Sequence, residues 1–175
     1  MSWVVLQTEV QSDVQLLGAG TTLLGSAIDR SDQFEVAQAA QEAETAYEAL
    51  VQAISELQVR MQPRSADPRS LAAAVDASYL YSVAFNNLAI YHFEFGDERE
   101  SEQRADAMFF QALNVCAVLA QSELSSAVSA ELPGLIAAIV SNSSYASTRL
   151  GAISEFGAAV AQLGPSLLGQ SLQRS

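Results

Sequence analysis

Histidine and cysteine, two side chains that often carry out catalysis, are scarce in this 175-residue chain. His92 is the only histidine and Cys116 the only cysteine. Metal sites in helical proteins need several His, Cys or Glu ligands together, and nucleophilic catalysis needs a base beside a Ser or Cys. Since His92 is flanked by Tyr91 and Phe93, we expect it to pack inside a helical hairpin. We therefore predict a protein that is not an enzyme, with no catalytic residue, metal or cofactor.

Cys116 lies among Leu113, Val115 and Leu119 in a stretch with helical spacing. A lone cysteine excludes a disulfide within the chain. Its apolar neighbours favour a buried structural thiol over a reactive nucleophile.

The charge of the chain limits the kind of partner it can bind. It has 20 acidic residues and 8 basic ones, all arginine, for a net charge of -12. Such a charge repels nucleic acid and anionic membrane surfaces and favours a protein partner with a basic or amphipathic segment. An acidic chain without lysine is typical of salt-loving microbes, although a genome rich in G and C also favours arginine codons.

The composition predicts one folded domain over residues 1–175. Half of the residues are apolar and 16% are charged, which does not fit intrinsic disorder. The first residues have no basic segment and reach Glu9 early, so we expect no signal peptide. No apolar run is long enough to span a bilayer. These features indicate a cytoplasmic protein.

Two helices are predicted before residue 62. Gly18, Gly20 and Gly25 should bend or break the first helix, since glycine weakens a helix interior. Asp32 and Glu35 have the spacing of a capping box that would begin the second helix, which should pack on the first. The apolar residues of the first helix are Trp3, Leu6, Val10, Val14 and Leu17. Those of the second are Val36, Ala40, Ala43, Tyr47, Leu50, Ile54, Leu57 and Met61.

A polar loop at residues 62–67 separates a first hairpin, about 3–61, from a second, about 68–121. Asp67-Pro68 predicts a helix from Pro68 to about Phe95. Gly96 fits a left-handed stop after that helix. Asp97 and Glu100 repeat the capping-box spacing and should begin a fourth helix, with Glu98 and Glu100 near its positive end.

The C-terminal helices, at about 122–170, are poor in charge. Pro133 should end one helix, and Ser143 or Ser144 should cap a last long one. No period-two alternation predicts a strand. The fold class is therefore all-α, with six to seven antiparallel helices arranged as a bundle or as a short array of helical hairpins.

Within residues 84–114, Asn87-Leu88-Ala89 is followed by Gly96-Asp97, and Ala105, Phe109, Ala112 and Leu113 follow on the next helix. This pattern resembles one tetratricopeptide repeat, with the second helix about four residues late. In that family, arrays of hairpins form a concave groove that binds peptides or helices. The resemblance implies a groove lined by the first helix, with these partner-binding residues: Asn86, Asn87, Ile90, Tyr91 and Glu94.

Two functions follow from these patterns. One is a protein–protein interaction module, an adaptor whose acidic groove holds a basic or amphipathic segment. The alternative is a self-assembling structural subunit, in which the charge-poor residues 116–170 pack against copies of the same chain. Both are compatible with a homo-oligomer.

Overall fold

A computed structural model of the protein describes residues 14–97, 99–151 and 154–174. This part of the chain contains six α-helices and no strand, so the predicted all-α class is confirmed. The helices are α1 (Gln15–Asp32), α2 (Val36–Arg60), α3 (Pro68–Phe95), α4 (Arg99–Leu119), α5 (Ser126–Leu150) and α6 (Gly157–Leu172).

The first hairpin is formed by α1 and α2, as predicted, but α1 continues through its three glycines. The helix is not broken at these glycines, so the predicted break, given as the alternative to a bend, is wrong. Gly20 is buried against α2, where an added Cβ would lie 2.9 Å from Cγ of Leu50. The absence of a side chain at this position lets the two helices approach closely. The predicted residues Trp3, Leu6 and Val10 lie outside the described residues.

The buried face of α2 agrees with the predicted pattern from Ala43 onward but not before it. Val36 and Ala40 are exposed, and Ala39 is buried in their place. The small side chains of this face keep α1 and α2 close together. Its buried residues are Ala39, Ala43, Ala46, Leu50, Ala53, Ile54 and Leu57.

The predicted capping box at the start of α2 is wrong. Asp32 is the last residue of α1, and Glu35 precedes α2 without capping it through its side chain. Phe34 has a φ of 62°, the left-handed conformation in which the chain turns between the helices. Oε2 of Glu35 instead accepts a hydrogen bond from Nη1 of Arg30 at 2.6 Å.

The start of α3 agrees with the sequence, whereas its end is built differently. Oδ1 of Asp67 accepts hydrogen bonds from the backbone N–H groups of Arg69 and Ser70, each at 3.0 Å. Gly96 has a φ of −77°, so the predicted left-handed stop is wrong. A Cβ on Gly96 would lie 2.3 Å from the carbonyl oxygen of His92, which explains why glycine fits here.

Helix α4 begins at Arg99. Glu98, which lies between Asp97 and Arg99, is outside the described residues, so the predicted cap at Asp97 stays a prediction. Glu100 and Glu102 occupy the first turn, near the positive end of the helix dipole.

Pro133 does not end a helix, and Ser143 and Ser144 do not begin one, because all three lie within α5. The proline removes one backbone N–H, but the apolar residues on both sides of it share one buried face and keep the helix continuous. Ser125 caps α5 by accepting a hydrogen bond from the backbone N–H of Val128 at 3.3 Å. The buried apolar residues of α5 are Val128, Leu132, Leu135, Ile136, Ile139, Ala146 and Leu150.

The helices form three consecutive hairpins, and the middle one, α3 and α4, packs against both of the others. Helix α3 touches α1, α2, α4 and α5, and α4 also touches α6. In the described part of the chain, every extensive helix contact lies within one hairpin or between consecutive hairpins. One cluster of buried side chains includes residues of all six helices.

Candidate functional site

The five residues predicted to line a groove lie on α3, but they do not share one surface. Asn86, Asn87 and Ile90 are fully buried. Tyr91 is half-buried and Glu94 is exposed. Because helices cover α3 on several sides, the first three residues face the interior and do not line an accessible groove. The prediction is corrected for those three residues.

Asn86 and Asn87 belong to a buried chain of polar side chains that joins the three hairpins. Nδ2 of Asn87 donates to Oγ1 of Thr21 on α1 at 2.8 Å. Nδ2 of Asn86 donates to Oδ1 of Asn87 at 3.3 Å. Nδ2 of Asn142 on α5 donates to Oδ1 of Asn86 at 3.1 Å. These bonds satisfy polar groups that would be costly to bury alone, and they fix the alignment of α1, α3 and α5.

Tyr91 belongs to an aromatic cluster where α2 packs on the C-terminal half of α3. Its ring centroid lies 4.9 Å from that of Tyr47 and 6.1 Å from that of Phe95. All three side chains are half-buried, so part of each remains open to solvent. The buried His92 ring supports the cluster edge-on, 5.9 Å from Tyr47 and 5.4 Å from Tyr91.

Two carboxylates are close enough to act on the Tyr91 hydroxyl. Burial raises the pKa of Tyr91, and the nearby charges of Tyr47, Glu44 and Asp97 raise it further. Both Glu44 and Asp97 are exposed. We use the name acidic aromatic surface for the patch made by Tyr47, Tyr91, Phe95, Glu44 and Asp97.

Glu94 lies on the same end of α3 as the acidic aromatic surface. Although the residue as a whole is exposed, neighbouring atoms remove part of the water around its carboxyl group and raise the pKa of Glu94. The charge of Arg149 opposes this rise, and the weaker effect of Asp32 adds to it. A carboxyl group in this state gains from a cation brought by a partner. Among the predicted groove residues, Tyr91 and Glu94 are thus the two that a partner can reach.

His92 is buried beside the aromatic cluster. Burial lowers its pKa, and the charge of Arg104 lowers it further. The imidazole is therefore neutral at neutral pH. Its ring packs against Tyr47 of α2 and Tyr91 of α3, where the first hairpin meets the second.

The molecule already pairs a cation with a ring and a carboxylate close to this end of α3. The guanidinium carbon of Arg149 lies 4.9 Å from the centroid of the Phe93 ring. Nη2 of the same arginine lies 3.0 Å from Oε1 of Glu102. Arg149 thus packs its guanidinium group over an aromatic ring and forms an ion pair with a carboxylate at the same time.

Cys116 is a buried structural thiol, as predicted. It is fully buried, and its sulfur lies 3.3 Å from Oγ of Ser82. Burial raises the pKa of the thiol to about 12, while the contact with Ser82 lowers it slightly. The reactive thiolate is therefore disfavoured at neutral pH.

Asp106 is a buried carboxylate that the sequence analysis missed. Its Oδ2 accepts hydrogen bonds from Oγ of Ser154 at 3.0 Å and from the backbone N–H groups of Glu155 at 3.1 Å and Phe156 at 3.3 Å. These bonds attach the segment before α6 to α4. The sequence offers no signal for this role, since its partners lie about fifty positions away.

No protein-family model, curated protein or solved structure matches this chain. None of the described helices combines the length and apolar character needed to cross a membrane. Nor do the described residues include a group of three or more His, Cys, Asp or Glu side chains placed to hold a metal ion.

Proposed function

We propose that this protein is a protein–protein interaction module that binds a basic or amphipathic segment of a partner through the acidic aromatic surface. The observation that carries the proposal is the set of three half-buried rings, Tyr47, Tyr91 and Phe95, with Glu44 and Asp97 beside them. A net charge of -12 attracts a cationic partner from a distance and raises its association rate.

A partner arginine would lie over an exposed part of these rings while its guanidinium pairs with Glu44, Asp97 or Glu94. One exposed cation–π contact contributes about 0.5–1 kcal/mol, and one exposed ion pair about 0–1 kcal/mol. Tight binding therefore needs several such contacts or an apolar face on the partner that also buries ring surface. A segment that alternates basic and apolar positions along a helix meets both needs.

The arrangement of the helices supports the same proposal. Consecutive hairpins stack on one another in the described part of the chain, as they do in the helical-repeat arrays that residues 84–114 resemble. The buried chain from Thr21 to Asn142 holds the first helices of the three hairpins in register. A rigid scaffold of this kind presents a surface without first having to order itself, which reduces the cost of binding.

The test is fluorescence anisotropy with a labelled amphipathic helical peptide that carries arginine on one face and leucine on the other. We expect saturable binding that weakens as salt is added. The double variant Glu44→Gln/Asp97→Asn should weaken binding about 5-fold or more, since two exposed ion pairs are lost. Tyr91→Leu should weaken it by removing the ring face while retaining apolar bulk.

The matched control is Glu56→Gln/Glu123→Gln, which changes the net charge by the same amount at exposed residues outside this surface. It should leave the affinity within about 2-fold of the unchanged protein, because screening limits the reach of distant charges. Equal weakening by both double variants would show that the peptide responds only to net charge, and would refute the proposed surface.

A second candidate function, the self-assembling structural subunit, is favoured by a separate observation. Val118 on α4 is 68% exposed and Leu172 on α6 is 57% exposed. Nη1 of Arg174 donates to the carbonyl oxygen of Ala120, which holds the end of α6 against the end of α4. Exposed apolar side chains in a charge-poor region favour contact with another copy.

Light scattering at low and multimolar salt tests this second candidate. A discrete oligomer that Val118→Gln/Leu172→Gln converts to a monomer would support it, and a monomer at high protein concentration would refute it. Circular dichroism on the same samples distinguishes the two explanations of the lysine-free acidic composition, because folding that requires concentrated salt would support a salt-adapted protein over a bias in codon usage.

A further inference from the structure

The turn between α2 and α3 carries positive charge in an otherwise acidic chain. Arg60, Arg64 and Arg69 are three of the eight arginines, and residues 59–73 contain only one acidic residue, Asp67, for a local net charge of +2. The three arginines line one cavity of about 480 Å³. Other residues that line the cavity include Gln62, Ser65, Asp67 and Ser70.

The one carboxylate in this cavity is already engaged. Oδ1 of Asp67 accepts from the backbone N–H groups of Arg69 and Ser70, and its Oδ2 accepts from Oγ of Ser65. These bonds cap α3 and lower the pKa of Asp67, with the Ser65 hydroxyl making the largest contribution. The Asp67 carboxylate therefore holds the loop and the start of α3 in place, through its hydrogen bonds with Ser65, Arg69 and Ser70.

In the part of the chain that the structure describes, two of the three arginines have no opposite charge paired with them. Among the described residues, neither Arg64 nor Arg69 forms an ion pair, and both are exposed. Arg60 adds a third positive charge, and its Nη1 lies 3.5 Å from Oε1 of Glu56. At the opposite end of the hairpins, by contrast, Arg30 and Arg104 pair with nearby carboxylates.

Neutral donors complete the cavity. Oγ of Ser70 accepts from the backbone N–H of Ser65 at 3.2 Å, which leaves its hydroxyl proton free to donate. The side-chain amide of Gln62 also lines the cavity. The start of the 28-residue helix α3 adds the positive end of its dipole.

We propose that this cavity binds a small phosphate-bearing anion. Guanidinium groups bind phosphate oxygens through paired hydrogen bonds, and three of them can surround a tetrahedral group from different sides. The cavity volume lies in the range of sites for small molecules, about 300–1,000 Å³. The net charge of -12 repels an anion from a distance. Physiological salt weakens that repulsion, because charges more than about 8 Å apart are largely screened.

Isothermal titration with inorganic pyrophosphate as the probe tests the proposal. We expect saturable binding that weakens at high salt, and chemical-shift changes in two-dimensional amide NMR confined to residues 60–73. Arg64→Gln/Arg69→Gln should weaken binding about 10-fold or more, because it removes two charge-assisted contacts. Circular dichroism should show a folded variant, since neither arginine is buried or ion-paired.

The control is Arg99→Gln, which removes one exposed arginine about 40 Å away, beyond the other end of α3. It should leave the affinity for pyrophosphate unchanged. Three results would overturn the proposal: no saturable binding at low salt, equal weakening by the control, or binding of a hexaglutamate peptide in place of pyrophosphate. The last result would identify a site for carboxylates.

Discussion

Breaking the bond between Thr21 and Asn87 should reveal how much the buried polar chain stabilises the fold. Thr21→Val keeps the shape of the side chain but leaves Nδ2 of Asn87 without its acceptor at 2.8 Å. An unsatisfied buried donor costs about 1–3 kcal/mol. Asn87→Leu also removes the acceptor for Nδ2 of Asn86. We expect each variant to lower the free energy of unfolding by about 1–3 kcal/mol.

The double variant Thr21→Val/Asn87→Leu should cost less than the sum of the two single changes. With both partners apolar, no donor from that pair remains unsatisfied, and an apolar contact takes its place. The expected coupling is about 1–2 kcal/mol, measured by urea unfolding followed by circular dichroism. Both residues are fully buried, so water cannot reach the site and replace the lost hydrogen bond.

A control cycle pairs Thr21→Val with Ser82→Ala. Ser82 is also buried, but it bonds the carbonyl oxygen of Ala112 and shares no hydrogen-bond partner with Thr21. These two effects should add to within about 0.5 kcal/mol. If the losses of unfolding free energy for Thr21→Val and Asn87→Leu also added, the hydrogen bond between the two side chains would contribute no coupling energy. That result would contradict the reasoning.

Two further predictions concern packing and pH. Gly20→Ala should lower the free energy of unfolding by about 1 kcal/mol, since overpacking against Leu50 outweighs the gain in helix propensity. The Cβ of Gly18→Ala would have no atom within 4 Å, so this change should raise the free energy of unfolding by about 1 kcal/mol. Changes of the same sign in the two variants would be inconsistent with the close approach of α1 and α2. For Cys116, the pKa rises from 9.0 to about 12 on folding, so the unfolded chain loses this proton first as pH rises. Stability should fall by about 1.4 kcal/mol per pH unit above about pH 9, relative to Cys116→Ala, in urea titrations at pH 8 to 10.5.

The sequence predicted features that depend on neighbours a few positions apart. Helical spacing identified α2, Asp67-Pro68 located the start of α3, and the apolar setting of Cys116 indicated burial. Each of these depends on the period of a helix or on hydrogen bonds within one turn, which residue order fixes directly.

The predictions that failed depended on the surroundings. Gly20 looked like a helix breaker, yet the contact with Leu50 makes it a point of close packing. Pro133 looked like a helix end, yet buried residues on both sides of it keep α5 continuous. Local preferences of about 1–3 kcal/mol are overridden when burial of a whole helix face favours the other outcome.

The candidate sites show the same division. By itself, the sequence determined an all-α fold, an acidic surface and a central helix that carries Asn86, Asn87, Ile90, Tyr91 and Glu94. Tertiary structure alone decided that Asn86 and Asn87 bond inward while Tyr91 joins Tyr47 at the surface. The side chains of a helix point outward on all sides and return to the same side every three or four residues. Which side is exposed to solvent therefore depends on the helices that pack around it.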